Sequence, residues 1–499
     1  MSYSDLQAHF TRISHLRHVE SFVRWDETVM MPPAAAAARA RAEATSTLCS
    51  VIHAMLTEPK LEKWLLTSER RLAALNPWER ANLRRMQRAW LKASSLPATL
   101  VEQASSAEMK CTHLWREARS NNDWNSFHPA LESVIAIKRK IADTLANTLN
   151  CDPYDALLDA YEPGMRSQQL DTLFAPLRTL LPELIRQAHN RRQSPSAPIG
   201  PFSEKAQQKL IERLLKRVGF DMQRGRLDVS HHPSCGGVAD DVRITTRYNR
   251  ADFTRALMGA LHEAGHAKYE QHLPVEWRHQ PVGLACSLGI HESQSLLQEM
   301  HICRSKPFLR FIAPMIRKAF PGHASRQPDA FNDKNICNLY RQVEPGPIRI
   351  YADEMTYPCH ILLRYDMEKA LITGHLKVSE IPERWEADTQ RLLGLSNKGD
   401  FRNGCMQDPH WAGGAFGYFP VYLLGAIYAA QFFASASREN PHILEQIGNG
   451  QFAPLDAWLE ARIWSKGSLY DSESLLRHAT GRKPSIEDYV THLHSRYLS

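Results

Sequence analysis

The segment LHEAGHAKYEQH, at residues 261–272, contains three histidines and two glutamates in a stretch that suits a helix. In a helix, His262 and His266 lie one turn apart on the same face, where both imidazoles can bind one zinc ion. Glu263 lies beside them without reaching the ion, and it can take a proton from a metal-bound water. This spacing indicates a hydrolytic metal site, and the alternative is a surface helix with two solvated histidines.

A catalytic zinc site needs a third protein ligand and an open position, and two residues of the same segment are poor candidates. Glu270 is two turns from His262, about 12 Å along the helix axis, which one small ion cannot span. His272 would need a glycine to break the helix before it. Tyr269 stands at that position and continues the helix, so His272 is predicted to point elsewhere.

A second helix, predicted for SLGIHESQSLLQEM at 287–300, offers two further glutamates. Glu292 follows His266 by 292 − 266 = 26 residues, which leaves room for a loop and an antiparallel return. We therefore predict Glu292 as the third ligand and a structural role for Glu299.

Two neutral imidazoles and one carboxylate form a catalytic set that leaves the fourth position to water. The ion lowers the pKa of that water and polarises a carbonyl oxygen, while Glu263 acts as the general base and then protonates the leaving amine. This predicts amide hydrolysis with one Zn²⁺ per chain, and Co²⁺ suits the same ligands.

The elements that position these residues are predicted to be mainly helices, because long runs of the chain carry apolar residues at three- and four-residue spacing. Asp252 is predicted to cap the helix that contains the histidine pair. Strand-like patterns occur at 226–230 and 240–248, and they predict one small antiparallel sheet. Residues 191–205 read as a loop, and the apolar stretch 416–436 as a buried core helix rather than a membrane span.

The composition excludes several classes of protein. The 499 residues are 43% hydrophobic with a net charge of +7 that is spread along the chain, which indicates a solvated surface rather than a nucleic-acid or membrane site. The nine cysteines are odd in number and lack CxxC spacing, so we expect neither a disulfide framework nor a cysteine zinc site. With no apolar leader at the N-terminus, a cytoplasmic location is expected.

Six motifs surround the metal residues in a fixed order. They are His232-Pro233-Ser234, DVRIT at 241–245, HEAGH at 262–266, HESQ at 291–294, IRIYA at 348–352 and GCMQDPHW at 404–411. With WDETVMMPP at 25–33 and YDALLDAYEPGM at 154–165, the chain resembles, over nearly its whole length, the thermostable carboxypeptidase (carboxypeptidase Taq) family of zinc metallocarboxypeptidases. Ser234 departs from that family's pattern, which has phenylalanine there.

The resemblance implies a large, mainly α, gluzincin-like helical zincin with a deep active-site groove and one small β-sheet near the metal. It also implies Glu292 as the third ligand and a homodimer. We expect a single metallocarboxypeptidase domain over 1–499, with a helical lid or groove wall in 1–200 and the catalytic part in 201–499. The implied activity is the release of single residues from peptide C-termini with broad specificity, so the expected partners are peptides with a free carboxylate.

A carboxypeptidase must bind a terminal carboxylate, and arginine does so through paired, charge-assisted hydrogen bonds. Arg349 is the first candidate. Arg243 is the second, with a pairing to Asp240 or Asp241 as the alternative. His232 either donates to substrate or shapes its loop.

The GCMQDPHW motif and the residues after it supply further candidates. His410 and Tyr418 could stabilise the oxyanion or bind the carboxylate, and Tyr418 could instead belong to an aromatic wall. Gln407 and Asp408 could orient their neighbours, and Asp408 could instead form a turn.

Two other functions remain open from the sequence. One is an oligopeptidase or endopeptidase on a related helical zincin scaffold. The other is a catalytically silent peptide-binding homologue that keeps its metal, against which Glu263 argues because a binding site needs no general base.

Overall fold

A computed structural model describes residues 2–191 and 194–499, with the side chains of Ser2 and Ala35 left out. The chain is mainly helical, as predicted. The α-helices are α1 Ser2–Val29, α2 Ala35–Leu56, α3 Pro59–Glu69, α4 Pro77–Ser95, α5 Ala98–Asn121, α6 Trp124–Leu149, α7 Pro153–Leu158, α8 Ser167–Asn190, α9 Glu204–Arg217, α10 Phe253–Gln271, α11 Leu288–Leu296, α12 Lys306–Ala319, α13 Pro321–Arg326, α14 Pro328–Phe331, α15 Asp333–Leu339, α16 Tyr357–Thr373, α17 Ile381–Leu393, α18 Pro420–Glu439, α19 Ile443–Gly448, α20 Ala453–Arg462, α21 Ser472–Thr480 and α22 Glu487–Tyr497.

Local sequence explains where the helices begin. At the start of α4 the Asn76 side chain accepts from the backbone N–H of Glu79 at 3.0 Å, and the Glu79 carboxylate accepts from the N–H of Asn76 at 2.8 Å. This reciprocal capping satisfies two backbone donors that a helix start leaves open, and Pro77 suits the first helical position. Residues 192 and 193 of the predicted loop at 191–205 lie outside the described residues, and α9 begins at Glu204, before the predicted loop ends.

Three short strands form the one sheet of the described residues: β1 Gly225–Val229, β2 Ser234–Val238 and β3 Asp241–Thr246. The strand order is β1-β3-β2, with β1 parallel and β2 antiparallel to β3. The prediction of a purely antiparallel sheet is therefore wrong. It missed β2, because the Pro, Ser, Cys and Gly residues of that segment read as a turn.

The chain divides into two compact units, each built from three stretches. The first contains Met1–Ala93, Ser194–Tyr340 and Tyr428–Lys483, and the second contains Ser94–Gln193, Arg341–Ile427 and Pro484–Ser499. This division does not follow the expected parts 1–200 and 201–499. The first stretch joins the second because α1 packs on β2, and α4 adds hydrogen bonds from Asn82 to Gln280 at 3.0 Å and from Arg85 to the Ser468 carbonyl at 3.1 Å.

The sheet of the first unit packs on α10, which is buried along most of its length. The Thr246 hydroxyl donates to the Ala256 carbonyl of α10 at 3.2 Å, so the last strand is fixed against the helix that carries the histidine pair. The apolar stretch 416–436 contributes to α18, whose residues are mostly buried. In the described part of the chain, no helix has the length and apolar character to cross a membrane.

Candidate metal centre and active site

Two capped helices bring the candidate ligands together. Asp252 caps α10 by accepting from the N–H of Thr254 at 2.8 Å, as predicted. Ser287 caps α11 by accepting from the N–H of Ile290 at 3.1 Å. Because α11 begins here, Glu292 projects from its first turns toward α10.

A glycine allows the two helices to approach closely. A Cβ atom on Gly265 would lie 2.5 Å from the Gln294 carbonyl oxygen and 2.6 Å from the Ser295 Cα. Both neighbours are backbone atoms of α11, so only a residue without a side chain fits at this crossing. The glycine of the HEAGH motif therefore sets the distance across which Glu292 reaches the histidines.

The predicted ligand set is assembled in the structure. One ligand atom from each of His262, His266 and Glu292 lies within 4.8 Å of the other two. The Glu292 carboxylate is 3.9 Å from the His262 Nε2 and 3.4 Å from the His266 Nε2, and the two imidazole rings meet edge to face with centroids 5.1 Å apart. Two imidazoles and one carboxylate converging on one point are a donor set that suits zinc.

The charge around this point also suits a cation. Burial acts to lower the pKa of His262, but the carboxylates of Glu299, Glu292 and Glu263 outweigh it and raise the pKa to about 10. The negative potential of three glutamates therefore favours positive charge at the site, and a divalent ion fits both the donors and the field.

Glu263 is buried beside the ligand set, with 6% of its surface exposed. Burial raises the pKa of Glu263 to about 7, and the nearby Glu292 acts in the same direction. A carboxyl group of this kind is suited to take up and release a proton near neutrality.

Glu299 orients the first histidine. Its carboxylate accepts from the His262 Nδ1 at 2.9 Å and is itself held by the Arg304 guanidinium at 2.7 Å. Burial would raise the pKa of Glu299, but Arg304 and His262 lower it to about 2. Glu299 was predicted to be structural, whereas its contact with His262 gives it the place of a residue that orients a metal ligand.

The sequence contained a signal for this contact. Glu299 follows Glu292 by two helical turns and so falls on the same face of an antiparallel partner helix. It lies in a π-helical segment, Leu297–Cys303, that continues α11, and no residue pattern marks that change of helix type.

We expect Glu299→Gln to weaken metal binding about 10- to 100-fold, because a neutral amide holds the His262 imidazole less firmly and leaves Arg304 without its charge partner. Competition with a chromogenic chelator measures the affinity. The matched control is Glu276→Gln, an exposed glutamate after α10, which should leave the affinity unchanged. Equal affinity in Glu299→Gln and the parent would show that this contact does not support the metal.

A second pair of residues orients the other histidine. The His266 Nδ1 lies 3.1 Å from the His291 carbonyl oxygen and 2.6 Å from the His291 Nδ1. The His291 Nε2 lies 2.8 Å from the Glu270 carboxylate. Glu270, which its spacing excluded as a metal ligand, thus contacts His291 instead. Neither the contact between His291 and His266 nor that between Glu270 and His291 was predicted from the sequence.

His272 is directed away from the site, as predicted. Its Nδ1 contacts the Lys268 carbonyl at 2.7 Å, and its ring packs on Trp464 with centroids 4.9 Å apart.

Two candidates for substrate binding lie in or beside the sheet of the first unit. Arg243 forms two hydrogen bonds with Asp241, at 2.9 and 2.8 Å, and its guanidinium lies 4.5 Å from the centre of the Phe22 ring. Its charge is thus matched by Asp241, which was the alternative interpretation. His232 has an exposed side chain, while its carbonyl accepts from the hydroxyls of Ser230 and Thr245.

The other candidates belong to the second unit, where Arg349 is buried beside Asp408. The Arg349 Nε and Nη2 donate to one Asp408 oxygen at 3.1 and 2.8 Å, and the Arg364 Nε donates to the other at 2.7 Å. Burial alone would raise the pKa of Asp408, but Arg364 and Arg349 bring it far below its usual range. Two guanidinium groups against one carboxylate leave this cluster with one net positive charge.

Gln407 fixes the backbone that carries Arg349. Its side-chain oxygen accepts from the N–H of Arg349 at 2.8 Å, and its amide group donates to the Pro347 carbonyl at 2.9 Å. The His360 Nε2 contacts the Gly346 carbonyl in the same segment at 3.1 Å.

His410 and Tyr418 lie together with Phe419. The His410 ring centre is 5.2 Å from that of Tyr418 and 4.6 Å from that of Phe419. Burial lowers the pKa of His410 to about 4, so the imidazole is neutral near neutral pH. The segment just before Tyr418 is held by the buried Glu368, which accepts from the N–H of Gly417 at 3.0 Å.

A mainly helical fold with an HExxH helix and a glutamate on the next helix defines the class of zincin-like metallopeptidases. A family model described as carboxypeptidase Taq (M32) metallopeptidase matches residues 5–497. Thermostable carboxypeptidase 1 of Thermus thermophilus is 37% identical, over 100% of this chain and 98% of its own. Thermostable carboxypeptidase 1 of Pyrococcus furiosus is 33% identical, over 99% of this chain and 98% of its own.

Among solved structures, metallocarboxypeptidase 1 of Trypanosoma cruzi matches with a TM-score of 0.97 at 39% identity, covering 100% of this chain and 99% of that one. The chain therefore belongs to the carboxypeptidase Taq (M32) family of metallopeptidases. It is a peptide-bond hydrolase.

Proposed function

We propose that this protein is a zinc-dependent carboxypeptidase that releases single amino acids from peptide C-termini with broad specificity. The observation that carries the proposal is the convergence of His262, His266 and Glu292 beside the buried Glu263. The family supports a metal-dependent carboxypeptidase in general, and the donor set supports zinc, with cobalt as a substitute.

One divalent ion per chain would be held by the two imidazoles and the Glu292 carboxylate. When bound, the ion supplies Lewis acidity and makes water a nucleophile near neutral pH. Glu263 accepts the proton of the attacking water and delivers it to the amine that leaves. Glu299 and His291 hold the two imidazoles in orientation through their Nδ1 atoms.

We assign recognition of the substrate's terminal carboxylate to Arg349. Its cluster with Arg364 and Asp408 keeps one net positive charge in a buried setting, where a carboxylate is attracted more strongly than in water. Among the described residues, the Arg349 Nη1 has no hydrogen-bond partner. Arg243 is the weaker candidate, because Asp241 already matches its charge.

His410, Tyr418 and His232 are proposed to contact the substrate as hydrogen-bond donors. The His410 Nδ1 is buried without a hydrogen-bond partner among the described residues, so a substrate oxygen could satisfy it. Gln407 and Asp408 are proposed to position Arg349. A homodimer and a cytoplasmic location also remain proposals, and the nine free cysteines are compatible with a reducing compartment.

The test compares a peptide with a free C-terminus and its C-terminal amide. The metal-loaded parent should remove residues one at a time from the free peptide only, as read by mass spectrometry. Arg349→Ala should lower kcat/KM for the free peptide on the order of 10- to 100-fold, because a charge-assisted hydrogen bond to the carboxylate is lost.

Arg243→Ala is the matched control, since it removes an arginine whose charge is already paired. It should retain the preference for the free carboxylate. Internal cleavage of the amide peptide by the parent would favour an endopeptidase, and peptide binding without any cleavage would favour a silent homologue. If Arg243→Ala lost the preference for the free carboxylate and Arg349→Ala retained it, Arg243 rather than Arg349 would be the residue that binds the terminal carboxylate.

A further inference from the structure

Glu354 is a buried carboxylate of the second unit, in the segment that carries Arg349 and leads into α16. Only 1% of its surface is exposed, and neither the metal site nor the proposed substrate contacts use it. A buried charge is unfavourable unless it is paired and hydrogen-bonded. The groups that contact this carboxylate therefore indicate which parts of the chain it holds together.

Three side chains of α22 contact the Glu354 carboxylate. The His492 Nε2 lies 2.5 Å from one oxygen. The Arg496 Nη1 and the Tyr497 hydroxyl donate to the other oxygen, at 2.8 and 2.7 Å. The Arg341 guanidinium also donates to the Arg496 carbonyl, so the chain before the IRIYA motif and the chain after it are both attached to α22.

The residue next to this carboxylate, Asp353, closes the intervening segment into a compact loop. The Asp353 side chain accepts from the N–H of Glu344 at 2.9 Å and from the N–H and hydroxyl of Thr356 at 3.0 and 2.9 Å. Within the loop, the Arg349 carbonyl accepts from the N–H of Ala352 at 3.0 Å. Short hydrogen-bonded turns thus connect Arg349 to the part of the loop that contacts α22.

The contacts of Glu354 restrict the position of this loop more than they stabilise the fold. A buried ion pair contributes little net free energy of folding, because desolvation offsets the attraction between the charges. It admits few other arrangements, however, since a displacement leaves a buried charge without its partners. Gln407 and Asp408 hold Arg349 itself, whereas Glu354 holds the chain that follows it.

We propose that α22 belongs to the carboxylate-recognition site, with Glu354 as the positioning residue through which it holds Arg349 in place for the terminal carboxylate of a peptide. The inference rests on the proposed function, in which Arg349 binds that carboxylate. Glu354 does not touch the substrate and acts only through the loop.

Peptide binding to the metal-loaded Glu263→Gln protein tests the proposal without turnover. Isothermal titration compares a peptide that has a free C-terminus with its C-terminal amide, and the ratio of the two affinities measures carboxylate recognition. In this background Glu354→Gln should lower the ratio about tenfold, because a small displacement of a binding group is costly. Tyr497→Phe removes one hydrogen bond and keeps the ion pair, so it should fold as the parent does and lower the ratio to a smaller extent.

His492→Ala and His494→Ala form a matched pair in α22. His492 contacts Glu354, whereas His494 is exposed, so only the first substitution should lower the ratio. Urea unfolding of the same proteins separates positioning from a purely structural role. Variants at Glu354 and Tyr497 that lose stability but keep the parental ratio would overturn the inference.

Arg349→Ala, in the same background, separates this inference from the proposed function. If Arg349→Ala lowers the ratio while Glu354→Gln and Tyr497→Phe keep it, the inference is overturned and the proposed function stands. If all three lower it, both are supported. A parental ratio in Arg349→Ala would remove the carboxylate role of Arg349 and with it the role of Glu354. Equal affinities of the Glu263→Gln protein for the free peptide and its amide would overturn both.

Discussion

Glu263→Gln should lower kcat about 10²- to 10⁴-fold while the protein still binds one metal ion per chain. The glutamine has the same shape but cannot accept a proton from water, and general-base catalysis contributes a factor of this size. Glu263 lies outside the group of three ligands, so metal content should not fall. KM should change little, because the proton transfer belongs to the transition state.

The measurement pairs steady-state hydrolysis with metal analysis of the same preparation. Glu204→Gln, at an exposed position at the start of α9 in the same unit, is the matched control and should keep parental kcat. A Glu263→Gln protein that carries its metal and turns over peptide as fast as the parent would overturn the assignment of the base.

Gly265→Ala should destabilise the protein and weaken its metal binding together. The added Cβ would meet the Gln294 oxygen at 2.5 Å and the Ser295 Cα at 2.6 Å, and backbone atoms cannot rotate away as a flexible side chain can. Overpacking of this kind costs about 1–3 kcal/mol. Relief requires α11 to move from α10, which takes Glu292 away from the two imidazoles.

Gly259→Ala, six residues earlier on the same helix, is the matched control. A Cβ there would lie 3.6 Å from the Pro233 Cγ, an ordinary contact, and alanine is favoured over glycine inside a helix by about 0.5–1 kcal/mol. Urea unfolding and chelator competition should thus show losses for Gly265→Ala and neither loss for Gly259→Ala. Equal stability and metal affinity in both variants would show that the helix crossing tolerates a side chain.

The metal centre could be predicted from the sequence because its geometry is local. The four-residue spacing of His262 and His266 fixes one helix face, and the 26 residues to Glu292 allow one return helix. The capping aspartate and the strands near 226–230 and 240–248 also follow from short patterns. Such features depend on residues that are close together along the chain, so they can be predicted from the order of the amino acids.

The contacts that support the site depend on residues distant in sequence, and they were largely missed. Asp408 was predicted to orient its neighbours or to form a turn, but the sequence could not identify those neighbours as Arg349 and Arg364, which are 59 and 44 residues away. The π-helical segment after α11 and the mixed sheet have no distinct pattern. The discontinuous units reflect contacts between distant segments, such as that of α1 with β2 and the bonds of α4 to segments some 200 and 380 residues later, which periodicity cannot reveal.

The Nδ1 atoms of the two histidines are both engaged, that of His262 by Glu299 and that of His266 by His291. Because Glu299 and His291 engage the Nδ1 atoms, each imidazole presents its lone pair at Nε2 when it is neutral. The orientation of both ligands is thus set in the folded protein, while binding of an ion releases a proton from His262, whose pKa the neighbouring glutamates raise to about 10. Ions should then exchange in and out of the native state, so that one metal can replace another by dialysis without unfolding the chain.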